Sequence, residues 1–214
     1  MWVGPGLSPP LSSPKASPER VPLQAVSIIA QEHRSLAAVL RALLYVVRET
    51  RYFAIEPHFE LLDAMLHYID AFSEQFHHPK EETYLFERLG ARLPAAAPLI
   101  NRLKHEHQSG TVKLRALQDA LMHYREAAYS AFPEFSSRAA EFAVFHWEHM
   151  RLEEDELIPL ARLHLTGADW DAIDAAFLGH TDPLLGAERG VEYQELFRRI
   201  VELAPAPLGK VASR

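Results

Sequence analysis

Two stretches of this chain pair a histidine with a glutamate four residues later: His77 with Glu81 in HHPKEETYLFERL, and His149 with Glu153 in HMRLEEDELIPLA. On an α-helix that spacing puts both side chains on one face, about 40° apart in rotation and about 6 Å apart in rise. An imidazole nitrogen and a carboxylate so placed can hold one metal ion or an adjacent pair. A single such pair is weak evidence, since His and Glu meet at this spacing on many solvated helices. Two in equivalent positions of a repeated unit are much stronger. The repeat extends upstream, where EHRSLAAVLRALLYVV (32–47) matches EHQSGTVKLRALQDAL (106–121) in its EH start and its LRAL. His107 follows His33 by 74 residues, and His149 follows His77 by 72.

Each half therefore reads as one helix with a lone histidine followed by one with the His/Glu pair. Two αα-hairpins with ligands facing inward make an all-α, up-down-up-down four-helix bundle with a site in its core. The first helix is expected from about 22 to 49, with His33 on a seam through Val26, Ile29, Leu36, Leu40, Leu43 and Val47. The second covers about 56 to 89, with Leu62, Leu66, Ser73, His77, Glu81 and Tyr84 on one face. Pro79 should bend it, because proline cannot donate to the carbonyl one turn back. His78 points about 100° from His77, which makes it a neighbour of the ligands or an additional ligand. The third helix, about 98 to 128, carries Leu99, Leu103, His107, Gly110, Leu114, Leu117 and Leu121 on its seam, with His105 facing solvent. The fourth runs from Pro133 to about 164, with Phe142, Phe145, His149, Leu152, Glu153, Glu156 and Leu160 inward. His146, one turn before His149, could add a ligand. Glu154, Asp155 and Glu156 read mostly as a solvated acidic face.

Outside the bundle (21–165), residues 1–20 hold five prolines and four serines and read as a disordered tail without a signal peptide. Residues 166–214 read as a helical extension: Asp169 as an N-cap, a short helix to about 178, and a last helix at about 191–203. That extension should serve as a lid or a homodimer contact. The absence of cysteine excludes disulfides and thiolate metal sites. The net charge of −7 argues against a nucleic-acid partner, and nothing approaches the apolar length of a membrane span. A cytoplasmic protein is expected.

Six ionisable groups fall at inward positions: His33, His77, Glu81, His107, His149 and Glu153. Left unpaired, each buried polar group costs about 1–3 kcal/mol, and six together rival the roughly 5–15 kcal/mol stability of a whole domain. They must be paired, either with a metal or with one another in a hydrogen-bonded polar core. The duplication favours metal, because a near-twofold pair of ions needs the ligand set twice. Histidine with carboxylate and no thiolate suits iron, manganese or zinc. Two glutamates could bridge ions about 3.5–4 Å apart. His33 and His77 would then serve one ion and His107 and His149 the other, or the pairs could be exchanged. Such a set leaves room for solvent or a diatomic molecule.

The pieces EHRSL, HHPKEE, KHEH and HMRLEE, over about residues 24 to 164, resemble the hemerythrin-like proteins, the HHE cation-binding domains. The resemblance implies a four-helix bundle around two non-haem iron ions that binds or senses oxygen or a related small oxidant. The alternatives are a di-iron peroxidase or oxidase acting on peroxide or nitric oxide, and an iron-responsive regulatory module. Members that carry oxygen have a fifth histidine one turn along the third helix. Here that position is Leu103 or Thr111, so a fifth nitrogen would have to come from His78 or His146, or be missing.

Overall fold

The computed structural model describes residues 24–53, 57–179, 198 and 200. The expected tail of residues 1–20 lies outside these, as does all of the last helix except Arg198 and Ile200, both helical. Four long helices form the bundle, and a short fifth lies across one end. Helix α1 is Gln24–Phe53. Helix α2 is a composite rod built from Phe59–Ile69, Asp70–His77, His78–Lys80, Glu81–Phe86 and Glu87–Arg92. Helix α3 is Ala97–Ala127, started by Pro98 in its first turn where a missing N–H costs nothing. Helix α4 joins Phe132–Leu152, Glu153–Leu157 and Ile158–His164. Helix α5 is Gly167–Leu178. Among the described residues no helix is long and apolar enough to cross a membrane.

Three stretches of the two motif-bearing rods wind as π-helix: Asp70–His77 and Glu81–Phe86 in α2, and Glu153–Leu157 in α4. A π turn takes one residue more than an α turn, so every inward position after it slips by one. The seam after Glu81 continues through buried Leu85 rather than half-buried Tyr84. After Glu153 it continues through buried Leu157, leaving Glu156 exposed. Strict 3.6-residue periodicity had placed Tyr84 and Glu156 inside, and the wider winding corrects both.

The apolar core is split by the polar belt of the bundle. One cluster gathers Leu36, Leu40, Leu43, Met65, Ile69, Leu114, Leu117 and Phe142. The other gathers Ile29, Leu85, Leu103, Leu157 and the α5 residues Trp170, Ile173 and Phe177. Helix α5 is clamped rather than merely laid on. Its N-cap is Thr166, with Asp169 at the third position completing a capping box, where the sequence pointed to Asp169 itself as the cap. Asp169 also pairs with Arg92 at the end of α2, 2.8 Å. Asp174 accepts the backbone N–H groups of Gln24 and Ala25 at 3.3 and 2.8 Å, placing a carboxylate on the first turn of α1 where orphan donors favour an anion.

Candidate metal centre

Each bundle helix brings one histidine to the belt at the same level, and α2 brings two. Histidines 33, 77, 107 and 149 are each 5% exposed or less, and so are His78, Glu81 and Glu153. Their ligand atoms fall into two groups, each within 4.8 Å: His33, His77, Glu81 and Glu153 in one, His78, His107 and His149 in the other. His78 thus stands inside the belt. The π winding before it lets adjacent residues straddle the bundle axis, so His77 turns to one group and His78 to the other. Their rings lie 5.6 Å apart, and His78 stacks on His107 at 3.9 Å. His146 belongs to neither group.

The two glutamates span the groups. Glu153 sets Oε2 3.3 Å from His33 Nε2 and Oε1 3.7 and 3.5 Å from His107 and His149 Nε2. Glu81 sets Oε1 3.4 Å from His77 Nε2 and Oε2 3.9 Å from His107 Nε2. Two ligands held at about 2.1 Å from one ion lie about 3.0–3.4 Å apart. The contacts of Glu153 with His33 and of Glu81 with His77, at 3.3 and 3.4 Å, match neighbours on a shared cation, and the other three are longer, at 3.5 to 3.9 Å.

Behind the histidines stands a ring of carboxylates. His77 Nδ1 faces Glu32 at 2.7 Å, His149 Nδ1 faces Glu106 at 2.9 Å, His107 Nδ1 faces Glu82 at 2.7 Å, and His33 Nδ1 faces Glu154 at 2.8 Å. An ionised carboxylate only accepts, so each Nδ1 carries the proton and donates it. Each Nε2 is then a lone pair aimed inward, the tautomer and orientation a metal needs. The ring closes round the bundle: α1 supports α2, α2 supports α3, α3 supports α4, and α4 supports α1. Both members of each EH and both glutamates of each HxxxEE are therefore used. Glu154, read from sequence as part of a solvated face, holds His33. The doubled EE and the repeated EH were the signal for these four residues.

Without a cation this arrangement is frustrated. His33 and His77 bring their Nε2 atoms within 3.2 Å of each other, a contact that without a cation needs an extra proton on one of the two rings. Both oxygens of Glu81 and of Glu153, and Nε2 of His107 and His149, are buried with no hydrogen-bond partner among the described residues. Six orphaned atoms of metal-ligating type, converging on two points, fit divalent cations. A polar core satisfied by its own hydrogen bonds would not leave them unpaired.

The family model of the hemerythrin HHE cation-binding domain matches residues 24–161. The chain belongs to the hemerythrin HHE family. Searches of curated proteins and of solved structures return no match. The matched span runs from the start of α1 to the last turns of α4 and contains every residue of the belt.

The electrostatics of this HHE domain follow from burial and the carboxylate ring. Burial pushes Glu81 well up, and the Glu153 charge beside it adds to the rise. Burial also raises Glu153, but His149, His107 and His33 outweigh it and hold that carboxyl well below its usual range. Burial lowers His33, yet the carboxylates of Glu153 and Glu154 beside it prevail and raise it to about 9. For His77 burial wins over Glu32, and its value falls. His78, buried among His107, His77 and His149, falls well below the usual value. Glu32 is raised by burial, but His77 and Lys80 bring it down to about 2.

Lys80 is an unexpected member of this set. Only 4% exposed, it bonds Glu32 Oε1 at 2.9 Å and lies 3.8 Å from the Phe76 ring centre and 4.7 Å from that of Phe177 in α5. It neutralises a buried carboxylate that would otherwise stand behind His77 with no cation of its own.

Proposed function

We propose that this HHE domain holds two non-haem iron ions and uses them to bind or sense oxygen or a related small oxidant. His33 and His77 would hold one ion and His78, His107 and His149 the other, with Glu81 and Glu153 shared between them. The observation that carries this reading is the bridging placement of the two glutamates, each with one oxygen toward each histidine group. Bridged ions in such a site sit about 3.5–4 Å apart, close enough to act on one diatomic molecule together. The histidine and carboxylate set supports iron over copper, and zinc or manganese remain the competing metals. Five nitrogens and two shared carboxylates leave unfilled positions, which is what a binding or sensing centre requires.

The experiment is to load the protein with ferrous iron without air, then admit oxygen and follow the absorption spectrum. A new charge-transfer band in the near ultraviolet and visible, lost in the His77→Ala and Glu153→Ala variants, is expected. Two bound irons with no spectral response to oxygen would overturn the oxidant reading. Multiple-turnover consumption of hydrogen peroxide by the same sample would move the protein to the peroxidase alternative.

A further inference from the structure

The two layers of side chains that flank the metal belt are chemically different. One turn from the belt on the α5 side, the four bundle helices contribute Ile29, Leu85, Leu103 and Leu157, all 1% exposed or less. On the other side the equivalent positions are three residues after His33, four before His77, three after His107 and three before His149. Because adjacent helices run antiparallel, these steps go the same way along the bundle axis. They are Leu36, Ser73, Gly110 and His146, all buried. A serine, a glycine and a histidine thus replace three large aliphatic side chains.

Two polar atoms in that layer are unused. Ser73 Oγ and His146 Nε2 are buried with no hydrogen-bond partner among the described residues. His146 Nδ1 lies 3.2 Å from the Phe142 carbonyl, which only accepts. The ring proton therefore sits on Nδ1, and Nε2 is an acceptor. The ring is wedged between Phe142 and Phe145, with centres 4.1 and 5.2 Å away, so it is held in place without belonging to either ligand group. A surface groove of about 250 Å³ opens toward the same level between α1 and α4, lined by His33, Ala37, Trp147 and Met150 among others.

Resting on the two-ion reading above, we propose that Ser73 and His146 form the polar wall of a small-ligand pocket on the Leu36–Gly110 side of the belt. Ser73 donates to the ligand, and His146 accepts a hydrogen from it. The class of ligand favoured is a small anion that carries its own N–H or O–H. The aliphatic layer on the other side offers neither group. A bundle that needed only to hold metal would have no use for two orphaned polar atoms there, each a cost of about 1–3 kcal/mol, and Gly110 puts no side chain into that layer.

The test uses the full-length protein loaded with ferric iron and two anions of like size with three heavy atoms in a row, azide and hydrogencyanamide, of which only the second carries an N–H. Metal content is measured first on every variant, and the two affinities are then read from spectral titrations. His146→Leu should keep two ions per chain and weaken hydrogencyanamide about tenfold relative to azide, the effect of one lost hydrogen bond. Ser73→Ala should weaken both anions by a similar factor. Unchanged affinities in both variants, with metal retained, would overturn the pocket while leaving the metal centre intact. If His146→Leu loses metal, Ser73→Ala decides alone, and unchanged azide binding there overturns the proposal. Wild-type protein without stoichiometric metal would sink the underlying centre instead.

Discussion

In the α1–α2 half, the carboxylate behind His77 is Glu32, whose other oxygen is held by a lysine buried beneath α5. In the α3–α4 half, the equivalent carboxylate behind His149 is Glu106, whose other oxygen meets Arg102 at 2.8 Å on the surface. The repeat preserves the candidate ligands and their supports but not the surroundings. The residue that follows His149 by three, where Lys80 follows His77, is buried Leu152. Likewise His78 next to His77 corresponds to Met150 next to His149, so the first half gives three histidines and the second gives two. Duplication explains where the ions would sit. The differences between the halves explain why the two positions are unequal, one rich in carboxylate and the other in imidazole.

The largest effect expected from this asymmetry is on stability. Lys80→Ala leaves part-buried Glu32 beside His77 without its cation, a loss expected to approach the about 3–5 kcal/mol of breaking a buried pair. Arg102→Ala, at the exposed counterpart, should cost less than about 1 kcal/mol. Denaturant unfolding of the two variants checks the contrast, and equal losses would abolish it.

A pH effect of similar size should appear only without metal. His33 is raised in the folded chain to about 9 from its ordinary value of 6.5. A raised histidine stabilises fully below its unfolded value, and that stability is lost as pH climbs through the folded value. The metal-free protein should therefore lose up to about 3 kcal/mol between pH 6.5 and 9.5, seen as a falling melting temperature. The loaded protein, in which His33 has no proton to lose, should be flat over that window from this source.

Next come the supports of the histidines. Replacing a carboxylate behind a metal-bound histidine typically costs about 10–100-fold in affinity. Glu32→Gln should fall at the upper end and Glu106→Gln at the lower, because Glu32 is more buried and also tied to Lys80. Competition with a chelator measures both, and the reverse order would show that the buried half is not the more constrained. Smallest is Phe177→Leu, which keeps the apolar contact of α5 but removes an aromatic face from Lys80. A cation–π contact is worth about 0.5–2 kcal/mol, so the melting temperature should fall by only a few degrees.

The candidate ligand residues could be picked out in sequence because the motif occurs twice, and His33 and His107 lie on plain α-helical seams. What 3.6-residue periodicity misplaced followed the π turns: Tyr84 for Leu85 and Glu156 for Leu157. It left His78 open between a neighbour of the ligands and an additional ligand, and the structure groups it with His107 and His149. Nothing in residue type announces a π turn, although Pro79 and Pro159 mark the two rods that contain them. Glu32, Glu82, Glu106 and Glu154 act across helix–helix gaps, so their roles depend on neighbours that lie 25 to 121 residues away in sequence. The clamp on α5 and the burial of Lys80 are likewise tertiary. A lysine in the charged run PKEE reads as surface until Phe177 is seen above it.

Native mass spectrometry of protein purified from iron-supplied cells tests the central claim most directly, since it counts ions on each folded chain. Two ions per chain are expected, falling in Glu153→Ala, which removes a ligand common to both positions. A wild-type population with no bound ion, or binding unchanged in Glu153→Ala, would contradict a centre built on the two shared glutamates.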